Sequence, residues 1–299
     1  MHLLYSDQFV LPLPPEHRFP IQKYALLHQQ VVAEQMVPPA NLHEPCVAAD
    51  ADVLRAHDAQ YLERLMQGSM SAQDMRKIGF PWSSALVERE RRVTGATIDA
   101  CRWALRDGCA ANLAGGTHHA FRDHGAGYCV FNDGVVAARV AQAARLVRRV
   151  VILDCDVHQG DGTAAIVHDD PSIFAFSIHG AKNYPFHKQQ SDLDVALPDG
   201  TADDAYLSAL QNGVRVALAR ARADLAIYVA GADPYADDRL GRLAVSQAGL
   251  QARDDLIYDA CDAAGLPLVI TMAGGYARNV ADTVAIHATT IRRAAARYR

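Results

Sequence analysis

Four short apolar runs, rich in β-branched residues, each end abruptly in residues that carry chemistry or permit tight turns. Residues 150–153 lead into Asp154, 173–176 into Ser177 and His179, 226–229 into Gly231 and Asp233, and 268–272 into Gly274, Gly275 and Tyr276. A fifth run, 110–114, leads into Gly115, Gly116 and the pair His118-His119. Runs this short, with no polar alternation, suit strands buried on both faces, as in a parallel sheet. Alanine-rich segments of helical periodicity at 134–147, 203–222, 246–264 and 280–297 alternate with them. Strand and helix alternating at this spacing predict an α/β fold of three layers, α/β/α, with a mainly parallel sheet and helices on both faces. In such sheets ligands bind beyond the carboxyl ends of the strands, so the reactive side chains are expected to converge on one rim. No internal repeat, low-complexity tract or long linker interrupts the pattern, and residues 1–299 read as a single domain.

Composition narrows the partners. Half of the 299 residues are hydrophobic and 21% are charged, which supports a large core and a solvated surface. The net charge is −5 and the basic residues are dispersed except in short runs such as Arg148-Arg149, so direct nucleic-acid binding is not expected. The amino terminus lacks the features of a secretory signal, and no apolar stretch approaches the length of a membrane span; a cytoplasmic protein without membrane attachment is expected. Six cysteines without a CxxC pair read as buried thiols.

The segment LDCDVHQGDG places Asp154, Asp156 and His158 at alternate positions, on one face if the strand stays extended. Two neighbouring carboxylates repel unless a cation or a proton compensates them, and an imidazole adds a nitrogen donor. Alone, this strand end also fits a simple capping aspartate. Asp233, in GADPYADDRLG, follows another strand; alone it fits an Asp-Pro turn, but it completes a set of one His and two Asp. Three protein ligands leave a coordination position for water, the pattern of a catalytic site. In GGTHHAFRDHGAGYCVFND the flanking glycines let His118 and His119 approach a ligand closely. Amide hydrolysis needs a base for the attacking water and an acid for the leaving amine, and imidazoles partnered by carboxylates such as Asp154 and Asp161 suit both tasks. Tyr276, after Gly274-Gly275, offers a phenol to a developing oxyanion.

Together, PPEHRFPIQKY, GGTHHA, GYCVFND, LDCDVHQGDGT, GADPYADDRLG and GGY, in this order, resemble the histone deacetylase family across most of the chain. The resemblance implies the arginase/deacetylase fold, an eight-stranded parallel sheet between helices. It implies zinc, or ferrous iron, on Asp156, His158 and Asp233. His119 would be the principal general base and acid, backed by Asp161, and His118 an electrostatic imidazole backed by Asp154. Tyr276 would polarise the acyl carbonyl. A monovalent cation such as potassium would lie at Asp154, Asp156, His158, Ser177 and Ile178. Gly127, Tyr128 and Leu240 would line a tunnel for the acylated chain, with Arg18 as an arginine below the metal. Gln159 stands where many members carry a second histidine, which is similar to class IV and many bacterial deacetylases, and Tyr128 replaces a frequent phenylalanine. The segment SIHGAKNYPFHKQQSDLD, with His179, Lys182, Tyr184, Phe186 and His187, is expected to form a rim loop.

The expected activity is removal of acetyl or longer acyl groups from lysine-like amines in a protein, a peptide or a small acylated amine. An acetylpolyamine amidohydrolase is the alternative substrate reading. An arginase-like enzyme with two metals would need a carboxylate at position 160, which is Gly. A non-catalytic protein that holds acyl ligands would be expected to lack a chemical group, yet His118, His119, Tyr276 and the three ligands are all present. Oligomeric state is not legible in the sequence.

Overall fold

In the strands, alternate residues enter different cores. Val151 and Leu153 point into one apolar cluster, Val150 and Ile152 into another, and Tyr228 and Ile227 divide in the same way. This period of two is what a strand covered on both faces imposes. A computed structural model describes residues 1–9, 11–14 and 16–298. Pro15, within the PPEHRF motif, lies outside the described residues.

Among these, the strands are β1 (His2–Leu4), β2 (Leu42–His43), β3 (Cys109–Asn112), β4 (Val150–Asp154), β5 (Ile173–Gly180), β6 (Leu193–Leu197), β7 (Leu225–Val229) and β8 (Leu268–Thr271). The helices are α1 (Gln22–Ala33), α2 (Asp50–Val53), α3 (Ala59–Gln67), α4 (Ala72–Ile78), α5 (Ser84–Asp107), α6 (Asp133–Ala143), α7 (Asp161–Val167), α8 (Asp203–Ala221), α9 (Gln247–Ala263) and α10 (Val280–Arg297). All eight strands join one sheet in the order β2-β1-β3-β8-β7-β4-β5-β6, and every pairing is parallel. Helices α1, α8, α9 and α10 cover one face, with Tyr206, Leu210, Ile257 and Ile291 in its core. Helices α3, α5 and α6 cover the other, with Tyr61, Leu86, Ile98 and Val136. This is the eight-stranded parallel sheet between helices that the resemblance implies.

The five expected strands are β3, β4, β5, β7 and β8, and the four expected helices are α6, α8, α9 and α10. Sequence periodicity passed over β1, β2 and β6 as well as α5, the longest helix. The β1 and β2 strands are too short to show a period. In β6, exposed Asp194 and Ala196 alternate with more buried neighbours, the signature of an edge strand. Five cysteines are buried thiols; Cys46 is exposed, so the expectation of a buried thiol fails there. No helix among the described residues is long and apolar enough to cross a membrane.

Candidate metal and catalytic centre

Because the strands are parallel, all their carboxyl ends lie on one edge, and the neighbours β3-β8-β7-β4-β5 deliver their following loops side by side. The loop after β4 carries Asp156 and His158, and the loop after β7 carries Asp233. Their donor atoms lie within 4.8 Å of one another, all buried. The Nδ1 of His158 is 2.9 Å from Asp156 Oδ1 and 3.2 Å from Asp233 Oδ2. Backbone amides hold the carboxylates: Gly274 N donates to Asp156 Oδ2 at 2.8 Å and Val157 N to Asp233 Oδ1 at 2.9 Å.

The charge balance calls for a cation. Burial opposes protonation of His158, yet Asp156 and Asp233 overcome it and push this imidazole up to about 10. Burial, then repulsion from Asp156, raises the Asp233 carboxyl well above the usual range. Asp233 Oδ2 is buried without a hydrogen-bond partner. An oxygen left unsatisfied in this way, among one nitrogen and two carboxylate donors, suits a zinc-class ion.

The fit extends to the backbone. A Cβ on Gly274 would run into Asp233 Oδ2 and Asp156 Oδ2. Gly274→Ala should therefore displace these oxygens and weaken zinc binding by about tenfold or more, as loss of a supporting contact around a metal does. Titration of the metal-free protein with zinc reads this directly, and unchanged affinity would count against the geometry.

Two histidine–carboxylate pairs stand beside the cluster. His118 Nδ1 lies 2.7 Å from Asp154 Oδ2 and His119 Nδ1 lies 2.6 Å from Asp161 Oδ1. Each carboxylate requires an Nδ1–H donor, which leaves Nε2 for other work. Burial disfavours charge on both rings, but Asp154 and Asp156 prevail at His118 and raise it to about 9. At His119 burial and the neighbouring His118 prevail over Asp161 and lower it to about 4. The surroundings thus favour charge on His118 and disfavour it on His119.

The loop bearing both histidines is pinned by Asp133, the first residue of α6. Its carboxylate accepts from Gly116 N at 3.1 Å, Thr117 N at 2.8 Å and Thr97 Oγ1 at 2.6 Å. Gly115 and Gly116 adopt positive φ there, which glycine takes without steric cost. Asp133 ends the GYCVFND segment, where no local signal marks this role.

Tyr276 follows β8 through Gly274 and Gly275, and Asp238 Oδ2 accepts from its backbone N at 2.6 Å. It lines both cavities that meet at the centre: an outer one of about 360 Å³ and an inner one of about 40 Å³. Gly127, Tyr128 and Leu240 line the outer cavity. The Tyr128 ring centroid is 5.1 Å from that of Phe19 and 6.1 Å from that of Tyr276. Strand register sets Asp154 beside Ser177, with Ile178 next in β5.

Arg18 is a correction. It is exposed and lines neither cavity, so it is not the cation beneath the centre. Buried Phe19 and Pro20 turn the chain into α1, and the first turn of that helix carries Lys23 inward. Lys23 is buried, and its Nζ donates to Ala273 O at 2.8 Å. Burial lowers this ammonium to about 8, against the attraction of Asp233, Asp156 and Asp238. Arg89, from α5, lines the inner cavity as a second buried cation. A lysine within HRFPIQKY was visible in sequence, but nothing local distinguished its direction from that of Arg18.

The expected rim loop follows β5 at residues 181–192, and His179 belongs to the strand itself. Tyr184 sets its ring edge against His119 at 4.9 Å between centroids, a contact no sequence signal announced. Gln159 ties this loop down: its Nε2 donates to Gln189 O at 2.7 Å and Asp194 Oδ1 at 2.8 Å, and its Oε1 accepts from Gln189 N at 2.9 Å.

Comparison with known proteins bears on the family and the fold. Residues 17–291 match the family model described as the histone deacetylase domain. An uncharacterized protein of Picosynechococcus sp. is 42% identical over 285 residues, 95% of either chain. Histone deacetylase 2 of Arabidopsis thaliana is 29% identical over 296 residues, covering 95% of this chain and 76% of that one. The crystal structure of an HDAC homolog from Aquifex aeolicus superimposes with a TM-score of 0.85 at 21% identity, covering 100% of this chain and 84% of that one, which bears on the fold alone.

Proposed function

Because the chain belongs to the histone deacetylase family, we propose that it is a metal-dependent amidohydrolase that removes acetyl or longer acyl groups from lysine-like amines. The observation that carries this reading is the buried triangle of Asp156, His158 and Asp233 with its unsatisfied carboxylate oxygen, set where His118, His119 and Tyr276 line the inner cavity and His119 and Tyr276 also line the outer one.

Asp156, His158 and Asp233 would hold a zinc-class ion, which when bound polarises the acyl carbonyl and acidifies a water. Neutral His119 accepts the proton of the attacking water at Nε2 and returns it to the leaving amine, while Asp161 keeps the required tautomer. Cationic His118, held by Asp154, adds positive charge where negative charge develops. The Tyr276 hydroxyl donates a hydrogen bond to the oxyanion, a contact that strengthens only as the carbonyl carbon becomes tetrahedral. Tyr128, Tyr184 and Leu240 guide the methylene chain and exclude water around it. The monovalent cation, proposed at Asp154, Asp156, His158, Ser177 and Ile178, would steady the same strand ends.

The test is turnover of an acetyl-lysine peptide, longer acyl-lysine peptides and acetylpolyamines, before and after chelation and return of zinc or ferrous iron. Amide cleavage lost on chelation and restored by metal is the expected result. Specific ligand binding without turnover under every metal would favour the non-catalytic reading instead.

A further inference from the structure

We propose that the mouth of the outer cavity selects acyl-lysine peptides whose residues next to the acyl-lysine are acidic, an inference that rests on the deacetylase reading. Four cations line this cavity, namely Arg76, Lys77, Lys182 and Arg242, and no Asp or Glu does. All four are exposed. Lys182 and Arg242 share a single carboxylate, Asp199, at 3.9 and 3.4 Å, while Arg76 and Lys77 have no ion-pair partner among the described residues. This concentration of positive charge stands on a chain whose net charge is −5, so it is a local departure from the surface as a whole.

Position decides what these charges meet. The acyl group must reach the buried end, where Tyr276, His119 and His158 line the cavity, so the residues flanking the acyl-lysine remain at the mouth. Arg76 and Lys77 close α4 on one side, and their segment is held to the tunnel wall: Gly127 N donates to Lys77 O at 3.0 Å and Tyr128 N to Ile78 O at 2.7 Å. Lys182 belongs to the rim loop and Arg242 follows Leu240, whose carbonyl accepts from Asn183 Nδ2 at 2.7 Å. The cations thus stand on both sides of the entrance, on backbone fixed to the wall. Their field attracts an anionic flank and repels a polycationic one, whether a lysine-rich peptide or a polyamine.

The test compares kcat/KM for acetyl-lysine peptides of equal length, with Glu, Gln or Lys on either side of the acetyl-lysine, using metal-loaded wild-type protein and Arg76→Glu/Lys77→Glu. In wild type the Glu peptide should exceed the Lys peptide by about tenfold at low salt, and the ratio should shrink as salt screens the rim. The double variant should lose or invert that ratio; being a ratio within one protein, it is insensitive to any general loss of activity, and a melting curve checks folding. Equal rates on the Glu and Lys peptides, or preference for Lys in wild type, would overturn the charge selection and leave the deacetylase reading intact. Cleavage of none of the three, by protein that also cleaves no longer acyl-lysine peptide and no acetylpolyamine, would overturn the reading itself and the selection with it.

Discussion

Tyr276→Phe lowers kcat for acetyl-lysine peptide cleavage by about two to three orders of magnitude and leaves KM within a few-fold, the expected cost of removing one oxyanion donor. The substitution keeps the ring, which packs near Phe19 and Tyr128, so folding and the tunnel wall are preserved. The hydroxyl acts only where charge develops, which is why the effect falls on kcat. His119→Ala should cost about two orders of magnitude or more, because the proton then lacks an acceptor and the amine a donor. His118→Ala leaves that relay in place and should cost less. The double variant His119→Ala/Tyr276→Phe should lose less than the product of the single losses, since both groups serve the same transition state. Steady-state kinetics on metal-loaded protein, with metal content verified, decides this; a Tyr276→Phe enzyme within threefold of wild type would remove the tyrosine from the mechanism.

Asp233→Asn should abolish measurable turnover while raising, or at least preserving, the stability of the metal-free protein. Burial and Asp156 disfavour the Asp233 carboxylate in the fold, so its proton is held more tightly folded than unfolded. The sign follows: this group stabilises the metal-free fold at low pH and progressively less as pH rises through its elevated range. An uncharged amide of the same shape removes that penalty but also a metal ligand. Wild type should gain about 4 kcal/mol on addition of zinc at a thousandfold excess over its dissociation constant, a rise of roughly 6 °C in melting temperature. The variant should gain little. Melting curves with and without zinc at pH 6 and 8 therefore cross between the two proteins, and parallel curves would show that Asp233 is not a ligand.

Some of this was legible in sequence because it is local. An apolar run broken by Asp, His or Gly marks a strand end whichever neighbours it later acquires; β4 itself ends at Asp154, and Asp156 and His158 stand in the bend that follows, so the expected extended strand does not place them and the bend does. The motifs in their order were enough to bring the resemblance and, with it, the pairing of His118 with Asp154 and of His119 with Asp161. The edges of the sheet were not legible: β1 and β2 are too short to show a period, and β6 shows only the half-exposed alternation of an edge.

What lay beyond the sequence depended on direction in space. Arg18 and Lys23 are five residues apart and both cationic, yet Phe19, Pro20 and the first turn of α1 send one outward and bury the other beneath the centre. Tyr184 lies against His119 on a loop held by Asn183 to Leu240 and by Gln159 to Gln189, contacts between segments distant in sequence. The basic mouth is assembled from α4, the rim loop and the segment after Leu240, each with too few charges to be noticed alone. The sequence determined which chemical groups stand at the strand ends, because strand period and turn chemistry act over a few residues. Only the tertiary structure decided which distant groups face one another, because a cavity is formed by the packing of elements that have no local signal of one another.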